Sequence, residues 1–147
     1  MGLKQGIFNP QHPEKCKGKL RSVYRSGWEL TFMRFLDTNS GVVEWSSESL
    51  PISYFNPVKN KICRYYPDFL VKYKGKDGEY HIELIEIKPY RETQPPKIHG
   101  NKKQSTLLME CRTWSINQAK WEAAKKFCEQ RGITFRLMTE KELKVIR

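Results

Sequence analysis

Two strand-like runs, 64–74 and 79–89, flank the turn sequence Gly75-Lys76-Asp77-Gly78, and this pattern restricts the fold more than any other in the chain. Such runs around a Gly- and Asp-containing turn read as a β-hairpin, and a hairpin fixes which residues face each other. If the turn centres on Asp77, as a three- or five-residue loop would do, Asp68 lies directly opposite Glu86. Opposed residues share a face of the sheet, with Cβ atoms roughly 5 Å apart. Alternation puts Lys88 on that same face and turns Ile85 and Ile87 to the other. A two-residue turn would slip Asp68 opposite Ile87, on the wrong face, so the expectation depends on loop length.

Opposed carboxylates repel unless something cationic sits between them. Mg²⁺ does this well, because it binds through one or two carboxylates plus waters and phosphate oxygens. Lys88 is then placed to stabilise charge on a phosphate under attack, or to orient the attacking water. Plainer readings exist: Asp68 after Pro67 as ordinary turn chemistry, and Glu86 with Lys88 as a solvated strand face. Glu83 falls on the face opposite Glu86 and reads as a structural or supporting acid.

Around the hairpin, Ser26-Gly27-Trp28-Glu29 forms a capping box that opens a helix, with Trp28, Phe32, Phe35 and Leu36 at helical spacing to about Asp37. Capping alone would explain Glu29, although it also borders the apolar stripe of Phe32, Met33 and Leu36. Val42–Trp45 and Leu50–Phe55 read as short strands, and 89–113 as a long polar loop. Ser115 to Arg131 predicts a helix stopped by Gly132, followed by a strand over Ile133–Met138 and a short helix capped by Thr139 and Glu142. The order is α-β-β-β-β-α-β-α, an α/β domain over 25–147 with a mixed central sheet flanked by helices. Residues 1–24 form a basic arm that is either mobile or ordered by nucleic acid.

The net charge of +11 favours a polyanionic partner such as double-stranded DNA. Arg25, Arg91, Lys97, Lys102 and Lys103 are candidates to track phosphates without regard to sequence, while Gln118 and Lys120 at the start of the second helix read on their own as a solvated helix face. Trp114 and Trp121 read as packing residues, and Cys128 as a buried thiol. The four cysteines lie far apart with no C-x-x-C pair, which argues against a zinc ribbon or a disulfide framework. No apolar run approaches the roughly 20 residues that span a bilayer, and the start carries no signal-peptide pattern, so a soluble protein is expected, intracellular or delivered from inside a cell.

The sequence W-E-L-x-F at 28–32, Pro67-Asp68 and Glu86-Ile87-Lys88 resembles the PD-(D/E)xK nuclease superfamily. Longer stretches resemble the head completion nucleases of T4-like tailed bacteriophages: Tyr24 to Glu29, Val43 to Glu48, Tyr66 to Phe69 and Glu86 to Pro89. The resemblance implies a restriction-endonuclease-like fold and Mg²⁺ dependence, with Mn²⁺ able to substitute. It further implies trimming of packaged DNA before tails join heads, in the virion head or host cytoplasm, beside portal or neck proteins. Glu29, Asp68 and Glu86 would hold metal, Lys88 would be the catalytic lysine, and Gln118 and Lys120 would bring polar side chains near the site and the DNA. Transposon-end nucleases of the superfamily often carry Gln at the E-x-K acid, whereas this chain keeps Glu86. A transposon-type or repair endonuclease, and a non-catalytic head-closure protein, remain the alternatives.

Overall fold

The computed structural model describes residues 5–18 and 22–145. In chain order its elements begin with β1 (Gly6–Phe8), β2 (Cys16–Lys17), β3 (Ser22–Tyr24), α1 (Gly27–Thr38), β4 (Val42–Ser47) and β5 (Ile52–Asn56). They continue with β6 (Lys61–Tyr65), β7 (Phe69–Lys74), β8 (Tyr80–Ile87), α2 (Gln104–Glu129), β9 (Thr134–Met138) and α3 (Glu140–Val145). The central sheet has five strands in the order β2–β4–β7–β8–β9. The β4–β7–β8 core is antiparallel, while β2 and β9 run parallel to their neighbours, so the sheet is mixed as expected.

The β7–β8 hairpin pairs Phe69 with Ile85 through Lys74 with Tyr80, leaving a five-residue loop centred on Asp77. Gly78 takes φ 80°, a left-handed turn position that favours glycine. The run 64–74 is nevertheless not one strand. Buried Pro67 has no N–H to donate to a ladder and divides it. Upstream of the break, β6 pairs with β5 in a separate two-stranded sheet. Its turn is held by Asn56, whose Oδ1 accepts from the backbone N–H groups of Val58 and Lys59, both at 3.0 Å.

Alternation along β7 and β8 divides the core in two. Phe69, Val71, Ile85 and Ile87 face α1, where Phe32, Met33 and Leu36 pack with Trp45, and Leu143 of α3 closes the edge. Leu70 and Leu84 face the other way, against Trp121, Ala124 and Cys128 of α2 and the apolar face of β5–β6. Burying side chains of this size contributes roughly 1.5–3 kcal/mol each, which is what fixes the two layers against the sheet.

Two expectations about boundaries need correction. Helix α2 starts at Gln104 rather than Ser115, so the connection after β8 is shorter than predicted and holds a 3-10 turn at Tyr90–Thr93. The described part of 1–24 is built into the domain and is not a detached arm. Phe8 packs edge-on to Trp45, with ring centroids 5.9 Å apart. Backbone N–H groups of Gln11 and His12 donate to the buried Asp37 carboxylate at 2.8 and 2.9 Å. Lys15 Nζ donates to the carbonyls of Asp37 and Asn39 at 3.1 and 2.8 Å, placing a cation at the C-terminus of α1. Lys4, Lys19 and Arg21, counted in the basic arm, lie outside the described residues. Among the described residues no helix is long and apolar enough to cross a membrane.

Candidate active site

The β7–β8 ladder ends one residue short of Asp68. Continuing the observed pairing by one step sets Asp68 across from Glu86, on the α2 side of the sheet. Asp68 takes over where the ladder stops, its Oδ2 accepting the Ile87 N–H at 2.7 Å while its backbone carbonyl accepts from Glu48 N–H at 3.0 Å. Glu86 is 6 % exposed, and its Oε1 has no hydrogen-bond partner among the described residues. Lys88 reaches over this pair, with Nζ 3.7 Å from Glu86 Oε2, and its backbone N–H donates to the Met138 carbonyl at 3.0 Å.

Helix α2 and strand β6 roof the pair. Lys120 Nζ sits 5.4 Å and 5.9 Å from the ring centroids of Tyr65 and Tyr54, a cation–π arrangement that holds the ammonium over the acids. The buried Tyr65 hydroxyl and Trp121 indole N–H also lack hydrogen-bond partners among the described residues. Of the helix candidates Lys120 is therefore at the site, whereas Gln118 is exposed and the neighbouring Asn117 is buried. The buried stripe of α2 runs Asn117, Trp121, Ala124 and Cys128, which turns position 118 away.

The electrostatics describe a site short of positive charge at its centre. Burial, and next the Glu86 charge, push the Asp68 carboxyl well above its usual range, against the Ile87 hydrogen bond that lowers it. Burial also raises Glu86, with Lys88 opposing. Burial lowers the Lys120 ammonium, and nearby Lys88 lowers it further. A divalent cation between the acids would reverse the carboxylate shifts, and the orphaned Glu86 Oε1 is the kind of oxygen such an ion takes. The donor set at the sheet therefore fits a hard cation held by two carboxylates.

Glu29 lies near enough for its charge to raise the Asp68 pKa further, but it is bonded elsewhere. Its carboxylate serves its own helix, accepting from Arg25 N–H and from Ser26 Oγ, both at 3.3 Å, while Ser26 Oγ accepts Glu29 N–H at 3.1 Å. Burial raises its pKa, and the Lys88 charge is close enough to act against that rise. Among the described residues no three His, Cys, Asp or Glu side chains are grouped to hold one ion, so the expected three-acid cluster is not assembled. Beside Glu29, the Arg25 guanidinium is ion-paired with Glu48, whose φ of 49° is left-handed. Arg25 is thus engaged with an acid rather than free for phosphate.

The other predicted contacts scatter. Arg91, Lys97 and Lys103 are exposed on or beside the 89–103 connection. Lys102 is turned inward, with Nζ 2.7 Å from Glu110 and 2.6 Å from the Lys97 carbonyl. Glu83 lies on the α1 face of the sheet, bonded to Tyr73 at 2.6 Å and Arg136 at 3.0 Å, a structural role. Tyr65, Asn117 and Glu48 were not singled out in the sequence. Tyr65 becomes visible once Pro67 is read as a strand break that folds β6 back over the sheet.

Half-buried Asp68 across from buried Glu86, beside a strand E-x-K lysine on a mixed sheet between helices, defines a restriction-endonuclease-like nuclease core. The sequence family described as "TnsA-like endonuclease N terminal" matches residues 39–140, and the chain belongs to that family. A relative is the head completion nuclease of Enterobacteria phage T4, 37% identical over 145 residues that cover 96% of this chain and 94% of the relative.

Proposed function

We propose that this chain is a divalent-metal-dependent deoxyribonuclease that trims packaged double-stranded DNA during phage head completion, before tails join, with portal or neck proteins nearby. The observation that carries this reading is Glu86, buried across from Asp68 and beside Lys88, with an Oε1 that has no hydrogen-bond partner among the described residues. Asp68 and Glu86 would hold the ion, Mg²⁺ or Mn²⁺. For Glu29 to join them, its carboxylate must give up the Arg25 and Ser26 bonds that cap α1. Bound there, such an ion supplies Lewis-acid activation of water and neutralises phosphate charge.

The remaining work falls to the chain's own side chains. Lys88 from a strand and Lys120 from a helix are near enough for their charges to repel, and a phosphate entering between them would relieve that repulsion. The Ile87 amide holds the Asp68 carboxylate in place, so no reorganisation of that acid is needed as charge develops. The similarity to the T4 head completion nuclease supports the assembly role, and Glu86 in place of Gln separates the chain from many transposon-end nucleases.

The test is cleavage of linear and circular duplex DNA in Mg²⁺, Mn²⁺ or EDTA, with wild type, Asp68→Ala and Lys88→Ala. Wild type should cut both forms only with metal, and neither variant should cut. Activity that survives either substitution would overturn the assignment.

A further inference from the structure

A cavity of about 540 Å³ lies between the 89–103 connection and the N-terminal half of α2. Each of its walls lies within three residues, along the chain, of one of the two site lysines. Tyr90 follows Lys88 by two residues, and Asn117 precedes Lys120 by one helical turn. The walls are tied in place at three points. Tyr90 N–H donates to Glu140 at 2.7 Å, Lys141 Nζ lies 3.4 Å from the Tyr90 ring centroid, and the Lys102–Glu110 ion pair straps the loop to α2 at 2.7 Å. A cavity held this way is formed before any ligand arrives, which lowers the ordering cost of binding.

Its chemistry is mixed in a particular manner. Half-buried Trp114 offers an aromatic face, buried Asn117 offers an amide, and exposed Arg91 and Lys97 offer two positive charges against the one carboxylate of Glu92. Neither Arg91 nor Lys97 forms an ion pair among the described residues. An aromatic platform with cations at its edge is how proteins hold an unpaired base and its phosphate. The volume lies within the roughly 300–1,000 Å³ typical of sites for a single small ligand, which suits one nucleotide.

We propose that this cavity receives one unpaired nucleotide next to the phosphate being cut, its base stacked on Trp114 and its phosphate met by Arg91 and Lys97. The preferred substrate is then duplex DNA with a frayed or overhanging nucleotide, rather than a flush end. This rests on the nuclease reading above and adds to it a DNA structure.

The test uses the full chain in EDTA with two duplexes of equal paired length, one flush and one with a single overhanging 2-aminopurine. Wild type should bind the overhang duplex at least about tenfold more tightly, the size that one base–aromatic stack provides. The 2-aminopurine emission should be quenched on binding. Trp114→Ala should bring the affinity ratio to about one, and Trp114→Phe should keep most of it. Arg91→Ala, an exposed change that leaves the fold intact, should lower the ratio independently. Equal affinity of wild type for the two duplexes overturns the proposal, as does no measurable binding to either. It also fails if the ratio is unchanged in both Trp114→Ala and Arg91→Ala. Cleavage in Mg²⁺ keeps the two readings separable: wild type that cuts flush and overhang duplexes equally loses only this inference, whereas wild type that cuts nothing loses the nuclease.

Discussion

Replacing Asp68 with Asn should end cleavage and, in the absence of metal, stabilise the fold at pH 8. Two like charges roughly 5 Å apart repel by ~3 kcal/mol at an effective dielectric of about 20. Against this, the Ile87 N–H would donate to a neutral rather than a charged oxygen, losing ~1 kcal/mol. The attraction of Asp68 to Lys88 also goes, but a neutral amide escapes the cost of burying a charge, the largest cause of the raised pKa, which leaves a net gain on the order of 1–2 kcal/mol. For a chain of this size that corresponds to about 2–8 °C in melting temperature.

The pH dependence follows from the direction of the shift. The Asp68 pKa is raised in the folded state, so above its ordinary value of 3.8 the folded chain binds more protons than the unfolded one. Wild-type stability therefore falls as pH climbs from that value towards the raised one. The Asp68→Asn variant lacks this titration, so its advantage over wild type should shrink when pH is lowered from 8 to 5. Circular-dichroism melts in EDTA across that range measure the difference. Saturating Mg²⁺ should restore wild type, by ~2.7 kcal/mol at a hundredfold excess over Kd, and help the variant less. A variant less stable than wild type at pH 8 in EDTA would refute the idea that the two acids strain the empty site.

Three further outcomes are expected. Glu29→Gln, which can still serve the capping box, should keep the melting temperature but lose cleavage, while Ser26→Ala should cost about 1 kcal/mol in a denaturant melt and leave cleavage in place. Lys120→Met should lower the single-turnover cleavage rate about 10²–10³-fold with an unchanged melt, as the loss of one preorganised charge donor does. Lys97→Ala should reduce the slope of log K against log salt for DNA binding by about 0.9, whereas Lys102→Ala, which breaks a pair with Glu110, should leave the slope unchanged.

The hairpin was legible because its information is local: a glycine-bounded loop centred on Asp77 fixes the Asp68–Glu86 register without reference to the rest of the chain. The capping boxes at Ser26 and Thr139 were legible for the same reason, each being satisfied within one turn of helix. What escaped was long-range. The first ten residues of α2 are almost all exposed, so they carry no apolar stripe, and a helix without a buried face gives no periodic signal. The fold of β5–β6 over the sheet depends on a buried proline and on Asn56, which a search for strand alternation passes over. Phe8 sits in the core through contacts with Trp45 that no spacing rule links. At the site, Lys120 was placed near the acids by the family resemblance, but Tyr65 was not, because its position follows from the break at Pro67.

The hydrogen bond from Ile87 to Asp68 gives the site a built-in spectroscopic reporter. The amide proton of Ile87 points at a carboxylate oxygen 2.7 Å from its nitrogen, so the nitrogen and proton chemical shifts register the charge on that oxygen. Protonation, ion binding and phosphate approach each alter that charge differently. A single backbone resonance, needing no label at the reacting atoms, can therefore follow the acid through loading and turnover.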